Sequence, residues 1–182
     1  MHIAAMDPAT SPLLTDLYQL AMVQAYLDGG DTDVAVFELF ARKLPARRGF
    51  LVAAGLAQAL EHLEHLRFGT DDLEWLARRG GFSDRLLAYL ADLRFTGDVD
   101  AMPEGAVFFA DEPILRVTAP LPVAQLVETR LINLVHYQSL IASKAARLVL
   151  AAAGRPLVDF GLRRAHGGEA GLLAARASYL AG

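Results

Sequence analysis

The feature that most constrains the fold is the run Leu157-Val-Asp-Phe-Gly-Leu-Arg-Arg-Ala-His-Gly-Gly168. It opens as a short apolar segment behind Gly154 and Pro156, the pattern of a buried strand. A glycine, two adjacent arginines, a histidine and two more glycines follow. From Glu169 to Leu180 the composition turns to Ala and Leu, that of a helix. A strand, a basic glycine-containing loop and a helix together suit anions. Arginines offer forked donors, glycines let backbone N–H groups come close, and a helix N-terminus adds partial positive charge. The same residues also fit a plain strand–helix connection with two solvated arginines, and local composition does not choose between the two.

The preceding segment fits an alternating architecture. Val123, Leu126, Val127, Leu131, Leu134, Ile141, Ala145 and Leu148 recur at three- and four-residue steps and predict a helix from about residue 123 to 153. Pro122 suits its first turn and Gly154 its end. It carries Asn133, His136, Gln138, Ser143, Lys144 and Arg147, of which some suit a cleft and most a solvated face. Helix, strand, basic loop and helix read as the beginning of a βα alternation.

The first part of the chain is different in kind. Met1 to Pro12 reads as a loose arm. Thr15 or Asp16 is placed to cap a helix running to about Leu27 and stopping at Gly29-Gly30, with Tyr18 in its first turn. Val34 to Phe40 is β-branched and aromatic, hence a strand. The basic segment Arg42-Lys-Leu-Pro-Ala-Arg-Arg-Gly49 fits a phosphate-facing loop or a solvated turn. Leu51 to Leu66 is helical by composition. Thr70-Asp-Asp opens a helix that closes at Gly80-Gly81, and Ser83 caps another to about Leu93. His62 and His65 share a helical spacing, but Glu61 and Glu64 make the surroundings an ordinary polar surface, and no metal site is expected. Val107-Phe-Phe109 and Ile114 to Val117 are expected as strands of an antiparallel set, with Asp100, Glu104, Asp111 and Glu112 as turn acids. Pro120-Leu-Pro122 ends that sheet. The expected division is an N-terminal domain over residues 1–120 and a second over 121–182.

Composition removes several classes of function. The chain has 182 residues, 54% of them hydrophobic and 21% charged, which predicts a packed core in one or two domains. A net charge of −4 gives no support for nucleic-acid or membrane-surface binding, so any anion site must be local. Without cysteine there is no disulfide, thiolate metal site or cysteine nucleophile. No stretch approaches ~18 uninterrupted apolar residues, and residues 1–11 lack a secretory pattern, so a soluble cytoplasmic protein is expected.

A set of ordered blocks then carries a resemblance. Leu13-Leu-Thr-Asp-Leu-Tyr-Gln-Leu20, Phe37-Glu-Leu-Phe40 with Arg42-Lys-Leu-Pro45, and Arg48 to Leu56 resemble nicotinate phosphoribosyltransferases. So do Pro103 to Val107, Glu112 to Val117, Ala119 to Pro122 with Gln125-Leu-Val-Glu128, Ser143 to Arg147, and Asp159 to Gly167. The resemblance implies a type II phosphoribosyltransferase, with an α/β (α+β) sandwich domain joined to the first part of an irregular α/β barrel. It implies a homodimer with shared sites. The implied reaction joins nicotinate and phosphoribosyl pyrophosphate to give nicotinate mononucleotide and pyrophosphate. It uses Mg2+ and ATP hydrolysis, in the ligase-type class, at the entry to NAD salvage.

Residue by residue, the resemblance implies that Phe160 stacks on the pyridine ring and that Tyr18 from the partner subunit covers its other face. Stacking asks for the ring rather than the hydroxyl. Arg163 and Arg164 would hold phosphate or pyrophosphate oxygens, and Asp16 would orient the Tyr18 loop. No chemistry is assigned to His166, Lys144 or Arg147. The family's phosphorylatable histidine segment and later ribose-binding acids have no counterpart here. The expectation is therefore an N-terminal portion, inactive by itself, with no catalytic residue identified. The competing readings are a non-catalytic dimerising module and a related nicotinamide or quinolinate enzyme.

Overall fold

The computed structural model describes residues 11–44 and 46–182. Most of the expected N-terminal arm, and Pro45 of the basic segment, lie outside these. Helix α1 spans Leu17–Gly29, with Asp16 at its extended N-cap and Gly30 closing it at φ 80°. Strand β1 is Val34–Phe40, its side chains alternating between exposed and half-buried. Helices α3, Thr70–Arg79, and α4, Asp84–Asp92, follow the caps written in the sequence. The Ser83 hydroxyl accepts from the Leu86 N–H at 3.2 Å. Two acids open α3, and two arginines sit in its last turn, each favourable for the helix dipole.

Leu51 to Leu66 is not one helix. Leu51–Val52 forms strand β2 and helix α2 is Leu56–His65. The reason is hydrogen bonding on two sides. On one side β2 pairs antiparallel with β4, Val107–Phe108, and the ladder continues as Ala53 N–H donates to the Ala106 carbonyl at 2.8 Å. On the other, Val52 N–H donates to the Ser143 hydroxyl at 2.8 Å and Ala54 N–H to the Ser139 hydroxyl at 3.1 Å. Two serines of a helix thus satisfy backbone groups that a neighbouring strand would otherwise pair. Gly55 ends the segment at φ 101°, where a Cβ would lie 2.7 Å from the Leu134 carbonyl oxygen, so both conformation and space require glycine.

The other sheet has the order β1-β5-β3, with β3 at Asp98–Ala101 and β5 at Pro113–Pro120. The expected antiparallel set is therefore two separate sheets, β4 pairing with β2 rather than beside β5. Asp100 is a strand residue, not a turn acid. Helix α5, Leu121–Ala152, is the long helix. Of its polar residues, Gln138 and Ser143 are fully buried while Asn133, His136, Lys144 and Arg147 are exposed.

Residues 157–161 are the largest departure. No strand forms; the segment is irregular, and Leu157, Val158 and Phe160 are exposed. A strand needs a neighbour to pair with, and no described strand pairs with this one. A single 3-10 turn, Leu162–Arg164, leads to helix α6, Gly168–Leu180.

The contacts divide the chain into two units. The first comprises the chain up to Phe37, Leu60–Val99 and Val117–Leu131. Its core contains Leu20, Val23, Leu76, Leu86, Leu90 and Leu126. The second comprises Glu38–Ala59, Asp100–Arg116 and Ile132–Gly182. Part of its core is built from small residues, Ala54, Ala142 and Ala177 with Val52, a composition that permits close backbone approach.

Candidate active site

In the first unit, the N-terminal turn of α1 presents Asp16 and Tyr18. Tyr18 is 50% exposed. Its hydroxyl oxygen accepts from the side-chain amide of Gln19 at 3.0 Å. The Asp16 side chain makes no capping bond within its own helix and instead accepts from the Thr129 hydroxyl of α5 at 3.1 Å. Thr15 donates to the Leu126 carbonyl at 3.5 Å. The motif thus fastens one end of α1 to α5 by polar contacts.

In the second unit lies the segment that the sequence makes a basic loop. Phe160 is 77% exposed, and Arg163, Arg164 and His166 are all exposed. Asp159 accepts from the Gly161 N–H at 2.7 Å, the Arg164 N–H donates to the Gly161 carbonyl at 2.8 Å, and the Ala165 N–H to the Leu162 carbonyl at 3.1 Å. These short-range bonds shape the turn that carries both guanidinium groups.

Helix α6, directly after the loop, is held more firmly. Arg176 reaches Glu104 with a two-pronged contact, Nη1 to Oε1 at 2.8 Å and Nη2 to Oε2 at 2.5 Å, and also donates to Gln138 at 3.2 Å. Glu104 in addition accepts from the Gly55 N–H at 2.7 Å. The Arg176 bond, followed by the backbone N–H groups, holds the Glu104 carboxyl below the usual range despite partial burial. The Tyr137 hydroxyl donates to the Ala170 carbonyl at 2.8 Å, within the first turn of α6. Glu104 is more than the turn acid its sequence suggests.

His62 and His65 do not form a shared polar surface. His62 is 4% exposed and its Nδ1 has no hydrogen-bond partner, whereas His65 Nδ1 lies 2.8 Å from the Glu61 carbonyl. Burial, and then the Arg130 charge, pushes the His62 imidazole down to about 4. Among the described residues no group of three or more potential ligands could hold a metal ion. A small cavity of about 10 Å3, lined in part by Ala53, Leu56, Met102, Glu104 and Val135, is the size of a water and not of a pyridine ring.

Sequence reasoning singled out Asp16, Tyr18, Phe160, Arg163 and Arg164. It missed Gln19, the partner of Tyr18, the residues Gln125, Glu128 and Thr129 that hold Gln19 in turn, and the anchor of α6, Glu104 and Arg176. A signal existed for the first group: Gln125, Glu128 and Thr129 fall at i, i+3 and i+4 on an otherwise apolar helical stretch, hence on one face.

The comparisons with known proteins agree with one another. The family of nicotinate phosphoribosyltransferase N-terminal domains matches residues 13–136. A nicotinate phosphoribosyltransferase of Mycobacterium tuberculosis is 55% identical over 170 residues, which is 93% of this chain and 37% of that protein. One from Bacillus subtilis is 46% identical over 171 residues, 93% of this chain and 35% of that protein. The crystal structure of human nicotinic acid phosphoribosyltransferase superimposes with a TM-score of 0.81 at 42% identity, covering 93% of this chain and 35% of that one. A nicotinate-nucleotide pyrophosphorylase from Pyrococcus furiosus shares the fold, with a TM-score of 0.76 at 23% identity. The chain belongs to the nicotinate phosphoribosyltransferase family. It spans little more than a third of the length of these bacterial relatives.

Proposed function

We propose that this chain contributes to a nicotinate phosphoribosyltransferase, forming nicotinate mononucleotide and pyrophosphate from nicotinate and phosphoribosyl pyrophosphate for NAD salvage. The observation that carries the proposal is the 55% identity maintained over 93% of the chain to a protein of that name. In this reading Phe160 stacks on the pyridine ring, and Tyr18 of the partner subunit in a homodimer covers the opposite face. Arg163 and Arg164 hold phosphate or pyrophosphate oxygens. Their exposure leaves the guanidinium forks open to a ligand, and two adjacent cations match a leaving group of high negative charge. Asp16 orients the Tyr18 turn, supported by its bond to Thr129.

ATP enters the proposal as a co-substrate whose hydrolysis drives the transfer. Magnesium supplies charge neutralisation on the pyrophosphate. Such a cation usually keeps several waters and binds substrate phosphates with one or two carboxylates, so it needs no dedicated protein cage. Cytoplasmic residence belongs to the same proposal. Among the described residues no helix is long and apolar enough to cross a membrane.

The test is the complete gene product supplied with phosphoribosyl pyrophosphate, ATP and magnesium, with nicotinate, nicotinamide or quinolinate in parallel. Nicotinate mononucleotide is expected from the nicotinate arm at a much higher rate than product from either other arm. Preferred turnover of nicotinamide or quinolinate moves the protein to a sister activity; no product in any arm leaves it a non-catalytic module.

A further inference from the structure

We infer that Gln19, clamped by Gln125, Glu128 and Thr129, is a positioning residue that fixes the Tyr18 ring for binding a planar pyridine ligand. The inference rests on the phosphoribosyltransferase reading above for the identity of that ligand. Its geometry lies wholly within the first unit.

Gln19 is completely buried. Its two amide hydrogens face three oxygens: Tyr18 Oη at 3.0 Å, Glu128 Oε2 at 2.9 Å and Thr129 Oγ1 at 3.2 Å. Its carbonyl oxygen accepts from the Gln125 side-chain amide. The amide therefore has a defined orientation, because turning it over would set its carbonyl oxygen against the Glu128 carboxylate and its N–H groups against the Gln125 amide. Each neighbour is held in turn. Glu128 Oε2 also accepts from Gln125 at 3.0 Å, Tyr26 donates to Gln125 Oε1 at 3.3 Å, and Thr129 donates its hydroxyl hydrogen to Asp16.

Joining two helices needs no such network. One turn further along α1, Val23 is completely buried, and Leu27 nearly so; both are ordinary apolar packing. Buried amides beside a carboxylate cost free energy unless each is bonded, so they contribute direction more than stability. Here they converge on the one exposed aromatic ring of the turn. A bond to the hydroxyl, at the far end of the ring, restrains both side-chain torsions of Tyr18 at once.

The experiment is Gln19→Met in the complete gene product, which keeps the volume and removes the amide. Val23→Ala, apolar and one turn away, controls for loss of stability. Gln19→Met is expected to raise the nicotinate KM by about tenfold and leave that for phosphoribosyl pyrophosphate within about twofold; Val23→Ala should lower Tm and leave both within about twofold. In parallel, 3-fluorotyrosine is incorporated and the Tyr18 fluorine resonance is assigned by its loss in Tyr18→Phe. Gln19→Met should move that resonance towards the denatured-state position. A resonance that stays in place overturns the inference, as does an equal rise of both KM values in Gln19→Met. Absence of turnover in the wild type would instead defeat the functional reading, and the fluorine signal would still decide whether Gln19 positions Tyr18.

Discussion

The start of α1 carries the candidate site residues Asp16 and Tyr18, the segment from Pro156 to His166 carries Phe160, Arg163 and Arg164, and the two regions are built in opposite ways. Around Tyr18 the chain supplies a closed circuit of side-chain bonds through Gln19, Gln125, Glu128 and Thr129. Around Phe160 the hydrogen bonds are short-range, and Leu157, Val158, Phe160 and Leu162 are all more than half exposed. Contiguous exposed apolar side chains of this kind mark a surface that makes contacts. The difference teaches that one region is preset by its own packing, whereas the other is an exposed arm of aromatic and cationic groups anchored at its far end through α6.

Core truncation should separate the two regions most widely. Leu20→Ala, at a position 4% exposed in α1, should cost about 2–5 kcal/mol, while Phe160→Ala should stay within about 0.5 kcal/mol, both read from denaturant unfolding. Similar losses from the two would break the contrast.

Acid provides the next largest difference. The folded-state pKa of His62 is about 4, below the ordinary 6.5, so the folded form prefers the neutral imidazole. The stability that depends on this is present above pH 6.5 and is lost as the pH falls from there through 4. The amount is on the order of 3 kcal/mol at about 1.4 kcal/mol per pH unit. His62→Leu should flatten this slope in unfolding measurements at pH 7 and pH 4; an unchanged slope would place the acid-sensitive group elsewhere.

Arg163→Ala should weaken the apparent affinity for phosphoribosyl pyrophosphate by about 1.5–3 kcal/mol with Tm nearly unmoved, since an exposed arginine contributes binding more than packing. Unaltered affinity with a collapsed Tm would make Arg163 structural. Tyr18→Phe should have the smallest effect. Stacking by itself needs only the ring, yet the hydroxyl accepts from buried Gln19, so its loss should weaken nicotinate binding by about 0.5–1.5 kcal/mol.

Much of this was legible beforehand wherever one residue dictates local geometry. Gly30, Ser83 and Gly80 marked the helix ends, and the β-branched run at Val34 marked a strand, because caps and branched side chains act through neighbours in sequence. Leu51 and Val52 have a helical composition, and the partners that make them a strand, Ser143 and Phe108, are remote in sequence. Asp100 has the sequence setting of a turn acid but lies in a strand bonded within a sheet. Leu157 and Val158 have strand propensity without a described pairing partner, and propensity alone does not make a strand. Tyr18, Phe160 and the arginines stood out through resemblance. The buried Gln19 and the Glu104–Arg176 fork did not, because a glutamine or glutamate looks the same in sequence whether solvated or enclosed.

The most direct measurement mixes complete gene products carrying Tyr18→Ala and Arg163→Ala. If the preset ring of one subunit works with the cationic arm of its partner, random exchange gives heterodimers with one site retaining both residues. Activity should then rise above that of either variant alone, to about a quarter of wild type for independent sites in a symmetric dimer. Demonstrated subunit exchange with no recovered activity would contradict the account.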